Sequence, residues 1–311
     1  MNEFVYIEKY FKPLTNEIGR DLKNDAAIFN QRSGYDLIIS TDTLVEDIHF
    51  FGIEDPADIA KKSLRVNLSD MAAMGAKPVF YNLALSVPKE KARTFIPKFA
   101  KGLEEDQKTF NIKLIGGDLT SSLKYVNITI TIFGETRSGK AISRSSSKLG
   151  DYLYVSGILG LSKIGLDNFN INSKEFELPK KKYLIPEPRI DLGNSLKNIA
   201  NSMIDISDGL VQDAIHLAKN SQLSIELDLN KIPLPKIGTI SEKDKLNFAL
   251  YGGDDYELLF SCNPCHKNFL KNLSSKIDLK LSMIGKFKKY EDQYLIFKDN
   301  SSKPKEAYLH F

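Results

Sequence analysis

Short apolar runs rich in β-branched residues alternate with helical patterns along the chain, which restricts the fold to sheets covered by helices. Residues 36–41 (DLIIST), 79–87 (VFYNLALSV) and 126–133 (VNITITIF) read as strands, the first short, buried and ending in polar residues. Asp55-Pro56 supplies an N-cap and a first-turn proline for a helix that runs to Gly75, with Pro78 beyond it. Residues 89–110 read as helical, and Pro97 inside them predicts a kink or two shorter helices. Residues 113–115 read as a short strand ending in Gly-Gly-Asp.

A composition shift then interrupts the pattern. Residues 134–151 (GETRSGKAISRSSSKLGD) hold few large apolar side chains, and a domain boundary is expected there, giving domains 1–144 and 145–311. A single core stops growing near ~250–300 residues, so two domains suit a chain of 311. The second half restarts with a strand at 151–157. Residues 167–190 are polar and proline-rich and read as a surface excursion. A strand at 202–206 feeds a helix, and αβ alternation continues to residue 297.

Composition excludes several function classes. Lys+Arg is 43 and Asp+Glu is 40, a net charge of +3 that gives no electrostatic reason to expect nucleic acid. No apolar run approaches the ~20 residues of a membrane span. The first residues, MNEFVYIEKYFKPL, lack the order of a secretion signal. Two cysteines make no disulfide framework. A cytoplasmic protein without membrane attachment is expected. Ten Lys against five acids from Ser261 onward read as a solvated basic face.

Three motifs invite chemistry that the rest of the sequence does not support. Gly134 to Ala141 nearly fits a phosphate-binding loop, but Ala141 replaces the hydroxyl that would reach Mg²⁺, so a turn between two strands is expected. Cys262-Asn-Pro-Cys265-His266 fits a haem-attachment pattern used in exported proteins; a strand end, a turn and a helix start are expected instead. Asp205-Ile-Ser-Asp208-Gly resembles the start of a calcium loop, yet His216 stands where the closing Glu belongs.

The aspartates are distributed differently. Asp42, Asp118, Asp205 with Asp208, Asp254 with Asp255, and Asp25 each adjoin small residues, at expected strand ends or just before apolar residues. Ligands bind at strand ends in open αβ sheets, and clustered carboxylates repel unless cations lie between them. Mg²⁺ is the economical cation, since its ligands are hard oxygens. On the helix from Pro56, Ser63, Asn67 and Asp70 form one polar stripe that faces either solvent or a wet cleft. These features point to a Mg²⁺-dependent phosphate-handling enzyme without a P-loop.

Taken together and in order, five segments resemble the thiamine-monophosphate kinase family. They are Ser40-Thr41-Asp42-Thr43-Leu44-Val45 followed by His49-Phe50; residues 67–76 (NLSDMAAMGA); Gly116-Gly117-Asp118-Leu119-Thr120; Asp205-Ile206-Ser207-Asp208-Gly209-Leu210; and Gly252-Gly253-Asp254-Asp255-Tyr256-Glu257-Leu258. The resemblance spans essentially the whole chain. It implies an α/β (α+β) two-domain fold like that of aminoimidazole ribonucleotide synthetase. The N-terminal αβ domain would bind ATP and Mg²⁺ and dimerise through its sheet; the C-terminal αβ domain would complete the cleft. It also implies the reaction ATP + thiamine monophosphate → ADP + thiamine diphosphate, with several Mg²⁺ ions, in a homodimer.

Carried over by motif, the resemblance implies a Mg²⁺ and phosphate shell of Asp25, Ser40, Thr41, Asp42, Asp70, Asp118, Asp205 and Asp208. Gly117, Asp118, Arg144 and Ser207 would contact ATP. His49, Asp254 and Tyr308 would face the thiamine substrate. The family's Gly-rich leader carries two Asp, whereas Asn24-Asp25 keeps one. Its Gly-Gly-Glu-Asp is one methylene shorter at Asp254, and its C-terminal Gly-Tyr-Asp-His-Phe is Ala307-Tyr308-Leu309-His310-Phe311. Other members of the superfamily use cysteines that are missing from the matching places: hydrogenase-maturation dehydratase would end in Cys, where Phe311 stands, and selenophosphate synthetase would carry one early, whereas the first here is Cys262. A nucleotide-binding protein without catalysis is the alternative from another class.

Overall fold

The computed structural model describes residues 3–22, 26–27 and 29–298. The chain divides into two compact units, Met1–Met71 with Ala76–Gly139, and Ala72–Gly75 with Lys140–Phe311. The change at Gly139/Lys140 lies two residues after the last strand of the first unit, which ends at Arg137, and within the segment 134–151.

In the first unit a short helix α1 (Glu3–Tyr6) continues as a π-helical turn, Ile7–Phe11. Strands β1 (Tyr35–Val45), β2 (Lys77–Pro88), β3 (Lys113–Ser122) and β4 (Asn127–Arg137) form one sheet in the order β1-β4-β2-β3. Its neighbours are antiparallel except the pair β2 and β3. β4 shows why the sheet has two faces. Ile128, Ile130 and Ile132 are buried, while Thr129 and Thr131 between them are only half-buried. Each fully buried isoleucine contributes about 1.5–3 kcal/mol relative to exposure.

Helix α2 (Pro56–Ala73) starts where expected: the Ala57 N–H donates to Asp55 Oδ1 at 3.0 Å. It ends at Gly75 (φ +60°), with the Ala76 N–H donating to the Met71 carbonyl at 2.8 Å. Helix α3 (Lys89–Phe110) is a single helix in spite of Pro97. Arg93, whose carbonyl loses its partner to the proline, is exposed to water. Phe95, Ile96, Phe99 and Leu103 bury the other side.

Two strand expectations are corrected. β1 is neither short nor buried; it is an edge strand of eleven residues, and Asp42 lies within it rather than at its end. Likewise Gly116-Gly117-Asp118 does not terminate β3, which continues to Ser122 because residues 82–88 of β2 pair with it throughout. Gly117 permits this contact, since a Cβ there would lie 1.9 Å from the Leu83 carbonyl oxygen.

The second unit has a sheet in the order β10-β7-β9-β5-β8-β6. Its strands are β5 (Tyr152–Ser156), β6 (Ala200–Asp205), β7 (Leu223–Leu227), β8 (Leu258–Cys262), β9 (Leu281–Lys289) and β10 (Leu295–Phe297). Helices α4 (Leu161–Asp167), α5 (Glu177–Leu184), α6 (Ile190–Ser195), α7 (Leu210–Asn220), α8 (Glu242–Tyr251) and α9 (Lys267–Lys276) accompany it. Both sheet faces are covered. Val155, Ile204 and Leu259 pack with Leu210, Ala214 and Leu217 of α7 on one side, and Tyr154, Met203 and Phe260 pack with Leu270 and Leu273 of α9 on the other. The surface excursion expected at 167–190 contains a helix instead: Phe176, Pro179 and Tyr183 are buried around α5, and Pro179 occupies the first turn, where its missing N–H costs nothing. No described helix is long and apolar enough to cross a membrane.

Candidate active site

The first unit holds one half of the expected site. Side chains alternate along β1, so Ser40 and Asp42 share one face and Thr41 the other. Ser40 Oγ donates to Asp70 Oδ2 of α2, which identifies the Ser40 face as the one covered by the helices. Thr41 bonds to Thr131 (2.9 Å) and Thr43 to Thr129 (2.8 Å), on the open face. Asp118 pairs with Ala84 in the row that contains Thr43 and Thr129, and so belongs to the open face too. The row through Asp42 runs Ile130, Leu83, Gly117. Three strand spacings of about 4.8 Å separate its ends, so roughly 14 Å of sheet lies between the β1 and β3 positions. Asp42 and Asp118 are not brought together within one chain.

Beyond β1 a loop presents His49. Its Nδ1 accepts the Val45 N–H at 3.0 Å, and Lys62 Nζ donates to its carbonyl at 3.2 Å. The ring therefore carries its proton on Nε2 when neutral. Two buried carboxylates brace this loop. Glu46 accepts the Val126 N–H (2.8 Å) and pairs with Lys91, and Glu54 accepts the Phe51 and Ile53 N–H groups at 2.9 and 3.1 Å. A cavity of about 190 Å³ opens beside β3, lined by Ile7, Phe11, Leu83 and Leu114, with Gly117 and Asp118 on its wall.

The second half lies in the other unit. Asp205 ends β6 and is buried, and the turn Ser207-Asp208 leads into α7. Asp213, one turn into α7, is also buried and accepts the Asp208 N–H at 3.2 Å. Burial and then the charges of Asp205 and Asp208 hold the Asp213 carboxyl well above the usual carboxylate range, opposed in part by Arg144. Burial and then Arg144 hold the His216 ring below its ordinary value.

A second loop is laced to this turn. The Asp254 N–H donates to the Ser207 carbonyl and the Tyr256 N–H to the Ile206 carbonyl, each at 2.8 Å. Gly253 (φ +68°) lets the loop and the turn meet, because a Cβ there would lie 2.5 Å from the Ser207 oxygen. The two adjacent aspartates then separate. Asp254 accepts the Tyr256 hydroxyl at 3.0 Å, whereas Asp255 turns inward and accepts the Gly160 and Ser162 N–H groups at 2.7 and 3.4 Å. Burial pushes Asp255 up to about 8, against the pull of those two donors. Behind it Glu257 accepts from Arg189 and from Ser156 Oγ (2.5 Å).

Asp25 and Tyr308 lie outside the described residues. Among the described residues no group of three or more His, Cys, Asp or Glu is placed to hold a metal ion. The residues that sequence reading missed are Glu46, Glu54, Asp213 and Tyr256. Asp213 stood on the helix next to a flagged motif; Glu46 and Glu54 carried no signal, since only tertiary burial gives them a task.

Of the polar stripe of α2, Ser63 and Asn67 are buried and Asp70 is half-buried: Ser63 donates to the Ile59 carbonyl (2.7 Å) and Asn67 to the Ser63 carbonyl (3.0 Å). The near-fit to a phosphate loop is the end of β4 followed by a turn, and no helix follows it. The segment 262–266 is the end of β8, a turn in which Asn263 caps Cys265 (2.9 Å), and the start of α9.

A two-unit αβ protein with oxygen donors on both units is the class that this geometry defines, and residues 23–136 match the family model for the AIR synthase related protein N-terminal domain. The chain is 36% identical to a thiamine-monophosphate kinase of Haemophilus influenzae over 92% of its own length and 89% of that protein. The crystal structure of thiamine-monophosphate kinase from Stenotrophomonas maltophilia is similar at a TM-score of 0.84 and 32% identity, over 90% of this chain and 91% of that one. A solved structure described as AaThiL complexed with AMPPCP and TMP is similar at 0.81 and 28% identity, over 99% and 97%. The chain belongs to the thiamine-monophosphate kinase family.

Proposed function

We propose that this protein transfers the γ-phosphoryl group of ATP directly to thiamine monophosphate, giving ADP and thiamine diphosphate. The observation that carries the reading is the placement of carboxylates: Asp42 and Asp70 beside Ser40, and Asp205 with Asp208 and Asp213 at one turn. The relative solved with AMPPCP and TMP supports the two ligands. Asp25, Ser40, Thr41, Asp42, Asp70, Asp118, Asp205 and Asp208 would hold Mg²⁺. Their hard oxygens suit it, the crowding of negative charge that lifts Asp213 is what a cation would relieve, and the separation of Asp42 from Asp118 suits several ions better than one. Mg²⁺ held by those residues would supply the positive charge that offsets the repulsion between two phosphates.

The chain's own groups would bind and orient. Gly117, Asp118, Arg144 and Ser207 contact ATP, and the apolar cavity beside Gly117 suits the flat base. His49, Asp254 and Tyr308 face the substrate, and the Asp254 carboxylate complements the cationic thiazolium. A phosphate monoester has its second pKa near ~6, so the attacking oxygen is largely ionised at pH 7 and needs no base. His49 fits this, since its Nδ1 is taken by a backbone N–H and its other nitrogen is a donor.

The N-terminal domain, residues 1–144, would bind ATP and Mg²⁺ and pair with a second copy through its sheet. The C-terminal domain, residues 145–311, would complete the cleft. A cytoplasmic site of action fits the free Cys262 and Cys265. Phosphorus NMR of the protein with ATP, Mg²⁺ and thiamine monophosphate should show ADP and a new diphosphate ester in equal amounts. Nucleotide binding without either product would leave a binding protein that lacks catalysis.

A further inference from the structure

Asn67 is wholly buried in the middle of α2, and its Oδ1 has no hydrogen-bond partner among the described residues. Its Nδ2 donates to the Ser63 carbonyl at 3.0 Å, which fixes the amide's orientation, because a flip would set two oxygens face to face. Leaving a buried acceptor unmade is unfavourable. Such a group in a folded protein marks a place for water or an ion.

The position of that oxygen follows from two contacts. Asp70 is bonded by Ser40 of β1, so this arc of α2 faces the strand. Lys62, further back on the helix, reaches the His49 carbonyl beyond the far end of β1. Helix and strand are therefore antiparallel. Stepping back from Asp70 to Asn67 moves about 4.5 Å along the helix and turns it by about 60°. On a strand rising about 3.3 Å per residue, that step leads from Ser40 toward Asp42, the next side chain on the same face. Ideal geometry therefore sets Asn67 one step from Asp70 in the direction of Asp42, turned about 60° toward the side of the helix that carries Met71, which packs on Gly134 of β4.

Those carboxylates do not complete a cation cage with other acids, since no three are placed to do so among the described residues. An amide oxygen is a hard donor that adds coordination without adding charge. We infer that Asn67 Oδ1 is an oxygen ligand of a divalent cation held by Asp42 and Asp70. The inference rests on the Mg²⁺-dependent reading above.

The test uses the full chain, with Mn²⁺ as the probe, titrated by electron paramagnetic resonance with and without AMPPCP. Asn67→Leu should weaken the tightest Mn²⁺ by about tenfold or more and raise the Mg²⁺ needed for turnover by a similar factor. Its thermal midpoint should hold or rise, since an unpartnered acceptor is removed. Asn67→Asp should bind Mn²⁺ at least as tightly as the parent. Should the leucine not fold, Asn67→Ala carries the same Mn²⁺ expectation. Parent-like Mn²⁺ affinity in the leucine or alanine variant would mean that a structural water alone serves the oxygen, and the inference falls. A parent that binds Mn²⁺ but does not phosphorylate thiamine monophosphate overturns the reaction and leaves the ligand standing.

Discussion

Tyr256 donates its hydroxyl to Asp254 Oδ1 at 3.0 Å, and both residues hold positive φ, +50° and +58°. Non-glycine residues in this region each cost on the order of 1–3 kcal/mol and persist where their surroundings enforce them. Here the enforcement is the pair of backbone bonds to Ile206 and Ser207. The outcome is that Asp254 is aimed by Tyr256 while Asp255 faces the core.

Tyr256→Phe should therefore raise KM for thiamine monophosphate by about threefold to tenfold and change kcat less, because it would loosen the carboxylate proposed to bind substrate and touch no reacting atom. Steady-state kinetics decide. An unchanged KM would detach Asp254 from substrate binding.

Asp255 predicts a pH signature in stability. Its folded value of about 8 lies above the ordinary 3.8, so between those values the folded chain keeps a proton that the unfolded chain has released. Its contribution to stability is complete below the unfolded value and is lost as pH rises through about 8. Denaturant unfolding from pH 6 to pH 9 should cost Asp255→Asn about 2 kcal/mol less than the parent. Parallel pH profiles for the two proteins would show that Asp255 is already ionised at pH 6.

Much of this architecture was legible because local signals and tertiary needs agreed. Asp55 and Pro56 cap α2 by chemistry confined to one turn, and the alternation of Ile128, Ile130 and Ile132 with threonines marks one buried face. Failures came where partners decide. Gly116-Gly117 reads as a break until β2 is placed alongside, and β1 reads as short because one of its faces is open and polar. The aspartates stood out as candidates in the sequence, since close backbone packing demands the glycines beside Asp118 and Asp254. Which carboxylate points where was not. Asp254 and Asp255 are adjacent and chemically alike, and only backbone angles and burial separate their tasks.

The carboxylates proposed to hold Mg²⁺ predict large kinetic effects. Asp42→Asn and Asp118→Asn should each lower kcat by ~10²-fold or more with far-ultraviolet circular dichroism unchanged, as loss of a charge clamp requires. Near-parent turnover in both variants would remove them from the metal shell.

Lys140 follows the turn that ends β4, and its Nζ bonds Asn198 at 2.9 Å on an exposed surface. Lys140→Ala should change kcat/KM by less than ~3-fold, as surface substitutions do. A loss of ~10²-fold would restore the phosphate-loop reading of residues 134–141.

The reaction itself is tested at phosphorus. Val45 N–H occupies His49 Nδ1, so a ring that contacts substrate, as proposed, would do so through its Nε2–H as a donor rather than as a base. His49→Asn should then raise KM for thiamine monophosphate more than it lowers kcat. With the acceptor phosphate already ionised, no residue need remove a proton and none need carry the phosphoryl group. Direct in-line transfer inverts a chirally labelled γ-phosphorus, whereas two successive displacements through an enzyme side chain restore its configuration. Inversion is expected, with no phosphate left on the protein after rapid acid quench. Retention, or a phosphorylated aspartate or histidine recovered by mass spectrometry, would establish a covalent intermediate and end the direct-transfer mechanism.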